Sequence, residues 1–440
     1  MLTSVNQAKD NHQTRALYLL KLNKLYKYNH VVLRDVIMRS SLCKTLTVLV
    51  LLPCAPAAQA FDHDFEINDI NLDEENFLDI NAHRFRKSLE YQWFDNTSAL
   101  RITGASLDGD FAFIQTEFKL LQELSEYVFV RLASQQEVFY ADKEFPYPSA
   151  EVILYPWAGN LGISLLGTPS YDKRDMDLGF ALIWGKRPWN YTRFEYLDVD
   201  ALYNQKNVTD NTYYSQEATA LKLEGAYLLG GHYKLRFNVS SESPLELVNP
   251  DTNGLFTHEA SEYFLLFDYQ PQPDAVIGIT INGFTLDKSR SQTDESLQQA
   301  TDYFSADIYW VKGMGKPYEL RLGTQYDYLS NDIRDFIDSS NNLDYFMDTL
   351  QVYTSAYHPF NEHMAWSLGL YVGKVEERQD YLLDTSKNTV NDDIEAKFRM
   401  GYVYTSSDGR STLQFNISLN LDALMHDPGD GGGIIFQSVF

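Results

Sequence analysis

Residues 318–328 read Tyr-Glu-Leu-Arg-Leu-Gly-Thr-Gln-Tyr-Asp-Tyr. Tyr318, Leu320, Leu322, Tyr326 and Tyr328 share one parity; Glu319, Arg321, Gly323, Gln325 and Asp327 share the other. Successive side chains of a strand point to opposite faces, so this stretch is one strand with an apolar, aromatic face and a charged face. The same alternation runs through Tyr233–Val239, Ile394–Met400 and Leu413–Leu421. A β-sandwich alternates too, because one face packs inward and the other meets water. Sandwich strands run only ~5–6 residues, however. The quoted run is longer, and long enough to cross a membrane, which takes ~9–11 tilted residues.

The connections carry the next signal. Short turns at 185–188, 229–230, 270–273, 313–316, 358–362 and 406–409 alternate with polar stretches near 203–216, 241–260, 287–300, 330–344 and 376–393, which read as long loops. Short turns on one side and long loops on the other are the pattern of a membrane-spanning β-barrel. Trp184, Tyr269, Trp310, Tyr318, Tyr402 and Tyr404 gather beside the short turns, where an aromatic girdle meets the headgroups. The predicted fold is therefore all-β: a transmembrane antiparallel up-and-down barrel of about eighteen strands, an even number. Sixteen is the alternative count, since the early strands alternate least regularly.

Upstream of the barrel the chain divides by composition. Residues 38–60 combine a basic start (Arg39, Lys44), an apolar core from Leu46 to Leu52 and a small-residue exit at Ala58-Gln59-Ala60, the layout of a cleavable secretory signal. Residues 1–37 precede that signal and read as a mis-assigned extension, with Met38 as the start. Residues 61–97 form an acidic periplasmic lead-in or partial plug, and 98–440 the barrel. Both cysteines, Cys43 and Cys54, fall before Phe61, so the mature chain offers no thiol chemistry. Residues 1–60 hold eight Lys/Arg and two Asp/Glu; the remainder keeps 28 and 59, a net charge of −31. Such a balance excludes nucleic acid as a partner.

The chain ends Gly433-Ile-Ile-Phe-Gln-Ser-Val-Phe440, with Phe436 and Phe440 on one parity. This resembles the C-terminal signature of Gram-negative outer-membrane β-barrel proteins, departing from it at Ser438. The resemblance covers about 98–440 and is to the porin-like class, not to a specific family. It implies delivery by periplasmic chaperones, insertion by the barrel-assembly machinery, and an outer face in contact with outer-membrane lipid and lipopolysaccharide.

Assigning faces by parity puts nine acids and nine bases toward the lumen. The acids are Glu117, Asp175, Asp177, Glu195, Glu224, Asp307, Glu319, Asp327 and Glu395. The bases are Lys119, Arg131, Arg193, Lys222, Lys234, Arg236, Arg321, Lys397 and Arg399. An exporter of polyanions would need an excess of basic residues along the pore. Balanced charge instead suits a channel for small hydrophilic solutes. The alternative is a non-conducting envelope protein whose outer loops bind a partner or surface polysaccharide. No catalytic set emerges: His426-Asp427 are adjacent but have no accompanying nucleophile motif. No cofactor motif or calcium-loop spacing appears, so neither cofactor nor metal is expected. No interface signal sets an oligomeric state.

Overall fold

The computed structural model describes residues 98–439 apart from 108–110, 140–146, 158–159, 168–176, 186–189, 199–212, 217, 252, 293–294, 315–317, 336–341, 384 and 422–428. The chain divides into two units, Met1–Glu66 and Ile67–Phe440, and every described residue lies in the second. The expected extension 1–37, the leader with Ala58 and Ala60, the lead-in 61–97 and the terminal Phe440 lie outside the described residues.

The strands are β1 (Ala99–Leu107), β2 (Phe111–Ser125), β3 (Val128–Phe139), β4 (Tyr147–Trp157), β5 (Leu161–Gly167), β6 (Leu178–Gly185) and β7 (Tyr191–Asp198). They continue as β8 (Tyr213–Gln216), β9 (Thr219–Leu229), β10 (Tyr233–Glu242), β11 (Leu245–Asn249), β12 (Gly254–Gln272) and β13 (Ala275–Gln292). The last are β14 (Glu295–Lys312), β15 (Glu319–Asp335), β16 (Leu343–Pro359), β17 (Met364–Tyr381), β18 (Thr389–Thr405), β19 (Ser411–Asn420) and β20 (Gly429–Val439). β1 pairs antiparallel with β20, Ala99 opposite Val439 and Leu107 opposite Gly431, which closes the ring. Closure leaves no unpaired edge, the condition for crossing lipid with strands.

Twenty segments make eighteen crossings. β8 and β9 are one passage interrupted around 217–218; β10 and β11 are another, interrupted at Ser243-Pro244. β9 pairs with β10 and β8 with β11, so the two breaks face each other. They are pinned there: Ser243 N–H donates to Thr219 O at 2.8 Å, and Thr219 N–H to Ser243 Oγ at 2.9 Å. Eighteen strands spaced ~4.8 Å and tilted ~40° make a ring roughly 35 Å across between backbones, wide enough for an aqueous channel.

The expected long loops at 241–260, 287–300 and 376–393 are corrected by the structure, as is part of 330–344. Apart from a few residues at each reversal these stretches are strand, and β12 to β18 run 17 to 19 residues. Seventeen tilted residues rise roughly 43 Å against an apolar band of ~25 Å, so this wall projects well beyond the membrane. The outward faces of the projecting parts are charged: Arg334 meets Asp344 at 2.5 Å, and Lys374 meets Asp392 at 2.9 Å. At the same level the inner face is apolar, with Tyr303, Leu329, Ile333, Leu343 and Tyr345 buried in one cluster. Along β15 the apolar parity therefore switches, from Leu320 and Leu322 outside to Leu329 and Ile333 inside. The glycine-rich run Gly429–Gly433 belongs to the closing strand β20.

The turn 406–410 is built locally. Ser406 Oγ donates to Asp408 Oδ1 at 2.5 Å and Arg410 N–H to the same oxygen at 3.1 Å, which holds the Asp408 carboxyl below its ordinary pKa. A depressed carboxylate stabilises above its unfolded pKa, and that contribution is lost as pH falls through the folded value. Asp408→Asn is accordingly expected to remove the acid sensitivity of this turn, read as hydrogen exchange at Arg410 and Ser411 between pH 7 and pH 3.

Candidate functional site

Register places the charged residues on walls. Arg101 lies opposite Glu117 and Gln437, and Lys119 opposite Ala99. Arg131 faces Glu151; Glu195 faces Lys222; Arg193 faces Glu224. Lys234 faces Asp268, and Arg236 shares its parity. Glu319, Arg321 and Asp327 share the inner parity of β15, and Glu395, Lys397 and Arg399 that of β18. Asp307 lies on the inner parity of β14, Asp177 just before β6, and Asp175 outside the described residues.

On the wall from β3 to β9 these charges form one network. Arg193 reaches from β7 across β6 and β5 to Glu151 on β4, and it also contacts Glu195 at 2.5 Å and Glu224 at 3.9 Å. Arg131 binds the other Glu151 oxygen at 2.7 Å. The reach is open because β5 and β6 present Ser164 and Ala181 at that level. Below them Ile153, Tyr155 and Ile183 pack together with Phe129.

Further round the ring, β12 to β18 carry a second network. Arg321 binds Asp307 at 2.7 Å and Tyr353 Oη at 2.9 Å, and its guanidinium lies 4.0 Å from the Tyr309 ring centre. Tyr353 donates to Asp307 at 2.8 Å; Tyr309 donates to Asp268 at 2.5 Å. Tyr353 stacks on Tyr371 at 5.3 Å, and Arg399 sits 4.4 Å over that ring. The result is a track of tyrosine and arginine, Tyr309–Arg321–Tyr353–Tyr371–Arg399, across the five strands β14 to β18. Gly323, opposite both Tyr309 and Tyr353, makes room for it, since a Cβ there would overlap the Tyr353 ring. Gly323→Val is expected to displace Tyr353 and cost about 1–3 kcal/mol, the usual penalty of overpacking, measured by urea titration of the folded barrel.

Sequence parity missed Arg101, Glu151, Asp268, Lys288 and Arg290. Glu151 opens Glu151-Val-Ile-Leu-Tyr155, apolar on both parities, so no face could be assigned. Lys288 and Arg290 lay in a stretch read as loop. His258, also expected in a loop, lies in β12, its Nδ1 3.9 Å from Glu242 Oε2. Among the described residues no group of three or more His, Cys, Asp or Glu is placed to hold a metal ion.

No protein-family model and no curated protein matches the chain. Among solved structures it is similar to Pseudomonas aeruginosa OccK2, at TM-score 0.40 and 11% identity over 78% of this chain and 95% of that one. It is similar also to Acinetobacter baumannii OccAB3, at 0.39 and 11% over 78% and 99%, and to Pseudomonas aeruginosa OprD, at 0.37 and 9% over 79% and 96%. What decides the class is the outer surface of the ring itself. Val152, Leu154, Leu165, Leu182, Leu223, Leu322, Val352, Leu370, Ile417 and Ile434 all stand exposed on the outside. A soluble monomer rarely exposes more than a few hundred Å² of contiguous apolar surface. The chain is a membrane-spanning antiparallel β-barrel of eighteen crossings. The aromatic girdle belongs to the same surface: Trp184, Trp310 and Tyr318 are exposed at the short-turn end, where Tyr318 stacks on His358 at 4.6 Å.

Proposed function

We propose that the barrel is a passive channel for small hydrophilic solutes in a Gram-negative outer membrane, without chemistry of its own. The observation that carries this is the inner wall: a ring wide enough for water, lined by acids and bases of both signs on β1 through β18. Ion selectivity follows the sign of the lining charge, so a mixed lining gives weak discrimination between cations and anions. Outer-membrane lipid and lipopolysaccharide contact the outer belt. Phe436, outward on β20 opposite Ile102 and Leu413, forms with Phe440 the assembly signal that chaperones and the barrel-assembly machinery read. Liposomes containing the refolded protein are expected to swell in small neutral sugars and progressively less as solute size grows; no swelling with any solute overturns the proposal.

One observation favours a second reading, a surface protein that binds a partner or polysaccharide. The wall from β12 to β18 projects past the lipid and presents charged pairs outward. Under that reading a folded barrel passes no solute.

A further inference from the structure

The two arginines of the track are not equivalent. Arg321 is neutralised by Asp307 at 2.7 Å. Arg399 is exposed on the inner face of β18 and has no acid within ion-pair reach among the described residues. Nearby acids are engaged elsewhere: Lys397 holds Glu395 at 3.5 Å, and Asp268 accepts from Tyr309. What seats the Arg399 guanidinium is the Tyr371 ring, 4.4 Å away. Gly369 gives that ring its place, since a Cβ there would crowd Tyr371 Cε2. A guanidinium set on a ring keeps its N–H edges free, and those edges match the paired oxygens of a carboxylate or phosphate. The rings themselves are not open to a flat solute. Tyr371 lies between Tyr353 from β16 and Arg399 from β18, and Tyr353 between Tyr371 and Arg321.

Beside Arg399 is a polar recess. Gly401, two residues nearer the short turn, lies opposite Ser367 on β17 and Asn416 on β19. Both side chains reach over its bare backbone, where a Cβ would overlap Ser367 Oγ and Asn416 Oδ1. Asn416 Oδ1 accepts from Gln414 Nε2 at 3.0 Å, which leaves its NH2 group as a donor toward the lumen. Ser367 Oγ takes part in no hydrogen bond among the described residues. The inner parity of β19, Gln414, Asn416, Ser418 and Asn420, is polar without a single charge.

We infer that the inner face of β17 to β19 holds a subsite for a small polyhydroxylated oxyanion, a sugar phosphate or a sugar acid. Arg399 takes the oxyanion, and Ser367 and Asn416 take hydroxyls. The inference rests on the channel reading, which brings solutes to this wall. Arg399 stands six residues from the short-turn end of β18 at Thr405. That is roughly 15 Å up a strand tilted ~40° and rising ~3.3 Å per residue, inside the part of the ring level with the lipid. A neutral sugar lacks the oxyanion and inorganic phosphate lacks the hydroxyls, so each satisfies half of the site.

The test is isothermal titration calorimetry of the full chain in detergent micelles with glucose 6-phosphate, gluconate, glucose and inorganic phosphate. At least one of the two sugar anions is expected to bind tighter than glucose and inorganic phosphate by about ten-fold or more, the worth of a hydrogen bond to a charged group. The tighter of the two tells whether the site takes phosphate or carboxylate. Arg399→Gln should weaken that anion by about ten-fold or more, for the same reason. Ser367→Ala and Asn416→Ala should each weaken it several-fold and leave inorganic phosphate unchanged. These two variants carry the test should Arg399→Gln not fold. Glucose or inorganic phosphate binding as tightly as the sugar anions overturns the inference, and so do variants that bind like the parent chain. A chain that conducts but fails these titrations loses the subsite and keeps the channel; one that binds but passes no current keeps the subsite and loses the channel.

Discussion

Arg193→Ala is expected to destabilise the folded barrel by about 3–5 kcal/mol, the cost of stranding a buried carboxylate. Three carboxylates of the wall, Glu151, Glu195 and Glu224, lie within ion-pair distance of this one guanidinium, which is itself almost fully buried. Arg131 still reaches Glu151 after the substitution, but Glu195 then loses its described ion-pair partner. Glu151→Gln is expected to cost less, because Arg193 keeps Glu195. The double variant should cost less than the sum of the two singles, since both act on the same pair. The measurement is the urea midpoint of tryptophan fluorescence for the protein refolded in lipid vesicles. A loss below ~0.5 kcal/mol, the level of a surface substitution, would show that the network contributes nothing.

The second large effect separates outside from inside. Leu322 points outward on β15, four residues above the girdle residue Tyr318 and close to the bilayer midplane. Leu322→Arg is expected to cost about 2–4 kcal/mol, as a charge does on a barrel's lipid face at that depth. Gln351→Arg, on the inner wall of the neighbouring β16, should cost little and shift ion preference toward anions. Equal small costs at both sites would mean that the outer belt faces water, and the membrane assignment would fall.

The lower parts of the strands were legible in the sequence and the upper parts were not, for one physical reason. Between Tyr318 and Tyr328 the lipid outside and water inside impose opposite polarity on successive residues, so period 2 stands out. Above the membrane the outer face turns polar, with Arg334 paired to Asp344, while Leu329 and Ile333 pack on the inner face. The phase of the pattern reverses within one strand, and a stretch spanning the reversal reads as irregular and polar. Hence 287–300 and 376–393 look like loops. The number of crossings survived because the short turns, not the strand tops, fix it. The wall networks were legible only as parity. That Arg193 belongs with Glu151 depends on a contact across three strands, and Glu151 itself sits in a run apolar on both faces. The arginine–tyrosine track rests on the β14–β18 register and on Gly323, whose missing side chain is meaningful only once Tyr353 is seen to lie over it.

Single-channel recording in a planar bilayer with the refolded chain, residues 61–440, tests the central claim most directly. The account predicts stable, stepwise conductance with weak preference between cations and anions, as expected of a wide ring lined by both signs of charge. A barrel that is folded and inserted, shown by its protease resistance and strand-rich circular dichroism, yet passes no current at any applied voltage would contradict it. The projecting wall from β12 to β18 would then be the functional surface.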